Sequence, residues 1–246
     1  MPEWWSVARE AYFDLRARTL RQSEWRSTQR RSRFAHDGSE RWVALLGNGP
    51  SVSDAPLDDP RWSVWGLNYC LRGVFDAEGG FRPDRWFEIH PLDERIVKRR
   101  RPSFFNEWLA QLPIPLYQFD PRWPHSVAYP LAEVLESTKH RYFSCTYCYQ
   151  VALAIHEGAT KIGIFGADMV SGREALYERP VLEFWLGLAN GLGIDVVIGA
   201  STQGLYRHPG CYAYDCVYER QEVFKNVKQF AQGLPAYLRE GRVGLQ

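Results

Sequence analysis

Long apolar runs are missing from this sequence. Nowhere do about 18 apolar residues follow one another, so no segment reads as a membrane span. Surplus charge is missing too: 30 Lys and Arg against 29 Asp and Glu leave a formal charge of +1. Without excess cation to neutralise phosphates, general nucleic-acid binding is excluded. Cysteine is sparse and odd in number, at five residues. The opening stretch MPEWWSVAREAYFDLRARTL has no apolar core followed by a small-residue cleavage site. Free thiols in a reducing compartment are therefore expected, and with them a cytoplasmic location. Internal repeats and low-complexity linkers are also lacking.

What is present suits a globular α/β protein. The hydrophobic fraction is 45%, too high for a disordered chain, and aromatics are plentiful, with 10 Trp and 13 Tyr. Such rings serve either as stacking surfaces or as core. Residues 4 to about 33 carry Trp4, Val7, Ala8, Ala11, Tyr12 and Leu15 on one helical stripe, which predicts an N-terminal helical arm over residues 1–40. Its run Arg30-Arg31-Ser32-Arg33 reads as a solvated basic helix end.

From residue 41 to 246 the pattern alternates between short apolar runs and helical stretches. Strands are predicted at Trp42 to Leu46, Ser63 to Leu67, Arg85 to Ile89, Pro115 to Phe119, Lys161 to Phe165 and Ile194 to Ile198. Helices are predicted at Glu94 to Leu112, Leu131 to Thr138, Thr146 to Glu157, Arg179 to Leu192 and Val217 to Gln232. Continuously apolar strands alternating with helices imply a Rossmann-like α/β domain, its largely parallel sheet covered by helices on both faces. Ligands of such sheets bind beyond the carboxyl ends of the strands. Gly47-Asn48-Gly49-Pro50-Ser51, Asn68, His90-Pro91 and Gly166-Ala167-Asp168 all follow predicted strands, so they are expected along one edge.

The loop after the first strand fits neither of the familiar phosphate-binding motifs. The dinucleotide fingerprint needs a third glycine where Val52 stands, and an acid where the sequence has Asn68. No Gly-Lys-Ser/Thr follows, which excludes the ATPase phosphate loop. Gly47 and Gly49 nevertheless keep side chains off the backbone, and their N–H groups can face an anion.

GNGPS, Asn68 and the segment SCTYCYQVALAIHEGATKIGIFGAD over residues 144–168 resemble the bacterial sialyltransferases of glycosyltransferase family 42. They are similar as well to the Rossmann-like group that includes archaeal 6-hydroxymethylpterin diphosphokinase. The segments WGLN, WFE-x-H, GAD and ERP resemble uncharacterised bacteriophage proteins. The resemblance spans roughly residues 41–215 and implies a nucleotide site made by Gly47, Asn48, Gly49, Ser51 and Asn68. It adds Thr146 at a donor phosphate, and Gly166, Ala167 and Asp168 at base or ribose. Arg179, at a helix start, suits a phosphate or an ordinary ion pair with Glu183 four residues on.

What the resemblance implies in function is an inverting, metal-independent transfer from a cytidine or uridine nucleotide-sugar. Its alternatives are a diphosphokinase-like transferase using Mg2+, and a non-catalytic phage nucleotide-binding or virion-assembly protein that associates, with itself or a virion component, through the arm. His90 stands where the family has an asparagine, and His208 does not align cleanly with the family's base histidine; Tyr177 is a stand-in for one of its phosphate-holding tyrosines. The catalytic candidates are therefore His90, as general base or nucleotide ligand, and Asp168, as ligand of ribose or Mg2+. Cys145-x-x-Cys148, with Cys211 and Cys216, has a zinc-like opening but irregular spacing, which favours buried free thiols.

Overall fold

A computed structural model describes residues 40–68, 70, 73–90, 104–170 and 172–206. The predicted arm, the helix expected at 217–232, His208, Cys211 and Cys216 lie outside the described residues.

Seven strands form one sheet in which every pairing is parallel. They are β1 (Trp42–Leu46), β2 (Trp62–Leu67), β3 (Arg85–Phe87), β4 (Leu116–Gln118), β5 (Ser126–Ala128), β6 (Lys161–Phe165) and β7 (Asp195–Ile198). Their spatial order is β5-β4-β3-β2-β1-β6-β7. The chain builds outward from β1 in one direction and then returns to lay β6 on its other side. This α/β arrangement is Rossmann-like, and its topological switch point lies between β1 and β6.

The alternation of side chains along the strands divides the core in two. Val43, Leu45, Trp65, Leu67, Ile162 and Ile164 meet α2 (Leu131–Thr138), α3 (Thr146–His156) and α4 (Arg179–Gly191). Ala44, Leu46, Val64, Trp86, Leu116 and Phe165 face the other way, onto α1 (Phe105–Ala110) and the 3-10 turn Pro50–Asp54. The expected helix from Glu94 appears, within the described residues, only as α1. The strand β5 carried no sequence signal: three residues, two of them exposed, offer no apolar run to detect.

The aromatic residues are spent largely on this core. Trp65, Trp86 and Trp185 are fully buried. Trp65 stacks on Phe87 at 5.3 Å between ring centroids, and Phe87 on Tyr117 at 4.8 Å. The Arg85 guanidinium lies 4.7 Å above Trp65 and donates to both oxygens of Glu157 at 2.7 and 2.8 Å, tying β3 to the end of α3. Gly66 leaves room for Trp86: a Cβ there would lie 2.2 Å from the indole ring.

That contact generates a measurable expectation. Gly66→Ala should lower unfolding free energy by ~1–3 kcal/mol through overpacking. The cost should shrink when Trp86 is also changed to Leu, which a double-mutant cycle by denaturant unfolding would read as a coupling of about 0.5–3 kcal/mol.

Candidate functional site

The parallel ladder between β1 and β6 continues past the strand ends. Gly47 N–H donates to Phe165 O at 2.8 Å, and Gly49 N–H donates to Gly166 O at 2.8 Å. These two N–H groups are thus consumed inside the protein, contrary to the expectation that they face an anion. The glycines have a different reason to be here. A Cβ on Gly47 would stand 1.6 Å from the Tyr147 hydroxyl, and one on Gly49 2.0 Å from Asp168 Oδ2. Gly166 has φ +77° and would collide with Gly47 O at 2.5 Å. The two loops meet backbone to backbone, and only glycine permits that approach.

Ser51 and Asp168 lock this junction. Asp168 Oδ2 accepts from Ser51 N–H at 3.1 Å and from Ser51 Oγ at 3.0 Å, while Gly166 N–H donates to Ser51 Oγ at 2.9 Å. Ser51 is wholly buried. Asp168 therefore holds the 3-10 turn of the GNGPS loop against the end of β6, with one carboxylate oxygen engaged. Cys70 reinforces the same loop, its thiol donating to Gly47 O. Asn48 in the loop is exposed, and Ala167 is buried.

Asn68 ends β2 in the left-handed region, φ 48°, a conformation that asparagine tolerates better than most residues. Its N–H donates to Phe87 O at 2.7 Å, and Trp86 Nε1 donates to its carbonyl at 2.8 Å. These bonds fix the side chain so that Oδ1 accepts from Thr146 Oγ1 at 3.1 Å. Thr146 opens α3, whose N-terminus has no side-chain cap. An uncapped helix start carries unsatisfied N–H groups and a partial positive charge, the ordinary ingredients of an anion site. Asn68 and Thr146, 78 residues apart, are thus joined.

His90 lies just past β3 with its side chain 52% exposed, whereas the Glu88 side chain is fully buried. His90 Nδ1 and Glu88 Oε1 are 2.9 Å apart. A buried carboxylate on Nδ1 orients the imidazole and favours the tautomer that leaves the lone pair on Nε2. Glu88 precedes His90 by two positions, so the pairing was in the sequence, but alternation along a strand would have put both on one face without saying they touch. The segment after β6 reaches back toward this pair. Burial raises the Glu178 carboxyl above its usual range, opposed by Arg173 and reinforced by Glu174.

Other predicted residues make contacts of their own. Arg179 forms the ordinary i,i+4 ion pair, Nε to Glu183 Oε1 at 3.9 Å. Tyr177 is exposed on the π-helical turn Glu174–Glu178, a feature with no sequence signal. Cys145 and Cys148 have Sγ atoms 3.5 Å apart at the start of α3. Among the described residues, no group of three or more His, Cys, Asp or Glu side chains is placed to hold a metal ion. Nor does any helix among them have the length and apolarity to cross a membrane.

No family model matches this chain, and no curated protein matches it. Among solved structures it is similar to the sialyltransferase CstII from Campylobacter jejuni in complex with a substrate analogue, cytidine-5'-monophosphate. That match has 14% identity and a TM-score of 0.40, covering 77% of this chain and 99% of that one. The CMP-3FNeuAc complex of CstII gives 13% identity, TM-score 0.41 and the same coverages. The complex of CST-II with trisaccharide acceptor and CMP gives 12%, 0.39, 77% and 100%. Likenesses this distant do not define a family, and the fold rests on the chain's own strand order.

Removing the Ser51 hydroxyl should loosen the whole junction. Ser51→Ala leaves the Gly166 N–H buried without an acceptor and takes one donor from Asp168, a loss of about 1–3 kcal/mol. Chemical unfolding would measure it, with amide exchange at Gly166 expected to quicken.

Proposed function

We propose that the crevice at the β1–β6 switch point binds a cytidine or uridine nucleotide-sugar. On this reading the chain is an inverting, metal-independent, sialyltransferase-like glycosyltransferase. The observation that carries the catalytic part is the Glu88–His90 pair at the same sheet edge as the crevice. The nucleotide part is supported by the uncapped start of α3, the Asn68–Thr146 hydrogen bond and the GNGPS loop pinned beside them.

Chemically the roles divide as follows. An acceptor hydroxyl gives its proton to His90 Nε2 as its oxygen bonds to the sugar's anomeric carbon. The bond from that carbon to the phosphate oxygen breaks, and its electron pair leaves with the nucleotide. One base and one displacement invert the anomeric centre. Buried Glu88 positions His90 and stabilises the imidazolium that forms. The first turn of α3, with its partial positive charge, meets the charge that develops on the departing phosphate, which is the task a metal would otherwise perform. Asn48, exposed in the loop, and Asn68 contact the nucleotide, and Asp168 and the Gly166-Ala167 backbone line the base and ribose end. Arg179 is close to the phosphate in this reading once it exchanges its loose pairing with Glu183.

Thermal unfolding with cytidine and uridine mono- and diphosphates at millimolar concentration tests the binding. A ligand at 100 times its Kd stabilises by about 2.7 kcal/mol. If no nucleotide raises Tm, the crevice is not a nucleotide site. Catalysis is read separately: His90→Ala should lower sugar-nucleotide turnover by ~10²–10⁴-fold with nucleotide binding unchanged. Glu88→Gln should lower it too, and shift the acid limb of the pH profile, because the amide no longer stabilises the imidazolium. Turnover that persists in His90→Ala would remove His90 from the reaction.

A further inference from the structure

The cysteines at the head of α3 have no part in the reaction above, yet their placement is chemically specific. Cys145 is the N-cap residue, in extended conformation at φ −151° and ψ 168°, and Cys148 lies in the first turn, its N–H donating to Cys145 O at 3.1 Å. Their sulfurs are 3.5 Å apart, in hydrogen-bond contact. A disulfide needs about 2.05 Å between sulfurs, so bond formation requires an approach of about 1.5 Å between side chains that already face each other. The two thiols differ in access: Cys145 is half-buried, Cys148 fully buried. This is the arrangement in which an outer thiol meets an external partner and an inner one resolves the product.

We propose that Cys145 and Cys148 form a redox-active dithiol that closes to an intramolecular disulfide by exchange with a low-molecular-weight or protein disulfide. Hydrogen bonding from Cys145, helped by the backbone N–H groups of Ser144 and Cys145, holds the Cys148 thiol down to about 7, against the opposing effect of burial. The Cys145 thiol is raised by the same hydrogen bond and by burial.

The exchange balances in two steps. Cys145, the more accessible thiol, loses its proton to solvent and attacks one sulfur of the incoming disulfide RSSR. The S–S electron pair leaves with the first RS⁻, which takes up a proton. Cys148, losing its proton to solvent, then attacks the Cys145 sulfur of the mixed disulfide and releases the second RS⁻, protonated in turn. The protein dithiol is oxidised by two electrons, and RSSR is reduced to two RSH. The reverse reaction with a thiol restores the pair. Thr146 stands between the two cysteines, so the exchange site shares its helical turn with the Asn68 contact. The thiol chemistry itself does not depend on what the crevice binds.

The test treats the full, native chain with oxidised glutathione, alkylates remaining thiols and maps all five cysteines by peptide mass spectrometry. The expected product is a Cys145–Cys148 disulfide without retained glutathione, reversed by dithiothreitol, with Cys70 still alkylated after unfolding. In Cys148→Ser, the resolving sulfur is gone and glutathione should remain on Cys145. In Cys145→Ser, Cys148 should stay unmodified because it is buried. The proposal is overturned if Cys145 and Cys148 of the wild-type chain both remain alkylatable under these conditions. It is overturned equally if either pairs with Cys211 or Cys216, or if the adduct collects on Cys148 in Cys145→Ser. None of these readouts involves a nucleotide, so failure here leaves the crevice reading untouched.

Discussion

Everything at the carboxyl edge of this sheet depends on two backbone strands staying paired beyond their own ends. The Gly47 and Gly49 N–H groups bond to the carbonyls of Phe165 and Gly166, extending the β1–β6 ladder into the loops. This fixes how closely the two loops approach. It also leaves no space between the loops for a Cβ, so glycine is demanded at both positions and at Gly166. Ser51, Asp168 and Gly166 then close the junction with three hydrogen bonds, two of them on the fully buried Ser51 hydroxyl. A carboxylate at the end of a central strand thus acts first as a brace.

A brace of this kind presents other groups at fixed positions. With β1 and β6 held, β2 and β3 follow by parallel pairing, and their last residues fall in line along the same edge. Asn68 turns at a positive φ because its N–H and carbonyl are both taken, by Phe87 O and the Trp86 indole. Its amide is thereby delivered to Thr146. His90 is placed by a different means, a buried acid two residues earlier. The rigid part of the site therefore belongs to the sheet, while the exposed imidazole and Asn48 are the parts open to solvent. Preorganised partners of that sort cost little to order when a ligand arrives.

The aromatic residues support this edge from below. Trp65, Phe87 and Tyr117 stack across three neighbouring strands, and Arg85 covers them while pairing with Glu157. On the opposite face, Trp86 packs into the space left by Gly66 and against Trp108. Rings that composition alone leaves open to either use, ligand stacking or core, are here mostly core. Large flat side chains fill the width between a sheet and its helices with few rotatable bonds, which is why short strands can still anchor a stable layer.

The sequence by itself determined the α/β class, the positions of β1, β6, α2 and the start of α3, and the residues that stand after each strand. Those follow from local patterns, apolar runs and helix boundaries, which act over a few residues. Through resemblance it also assigned Asn68 and Thr146 to one expected nucleotide site. Only the tertiary structure decided what the strand-end residues do. The N–H groups of Gly47 and Gly49 are occupied because β6, more than a hundred residues later, lies beside β1. Asp168 binds Ser51, and β5 forms from three residues with no pattern of their own. Hydrogen bonds between residues distant in the chain depend on which strands become neighbours, and no local periodicity records that order.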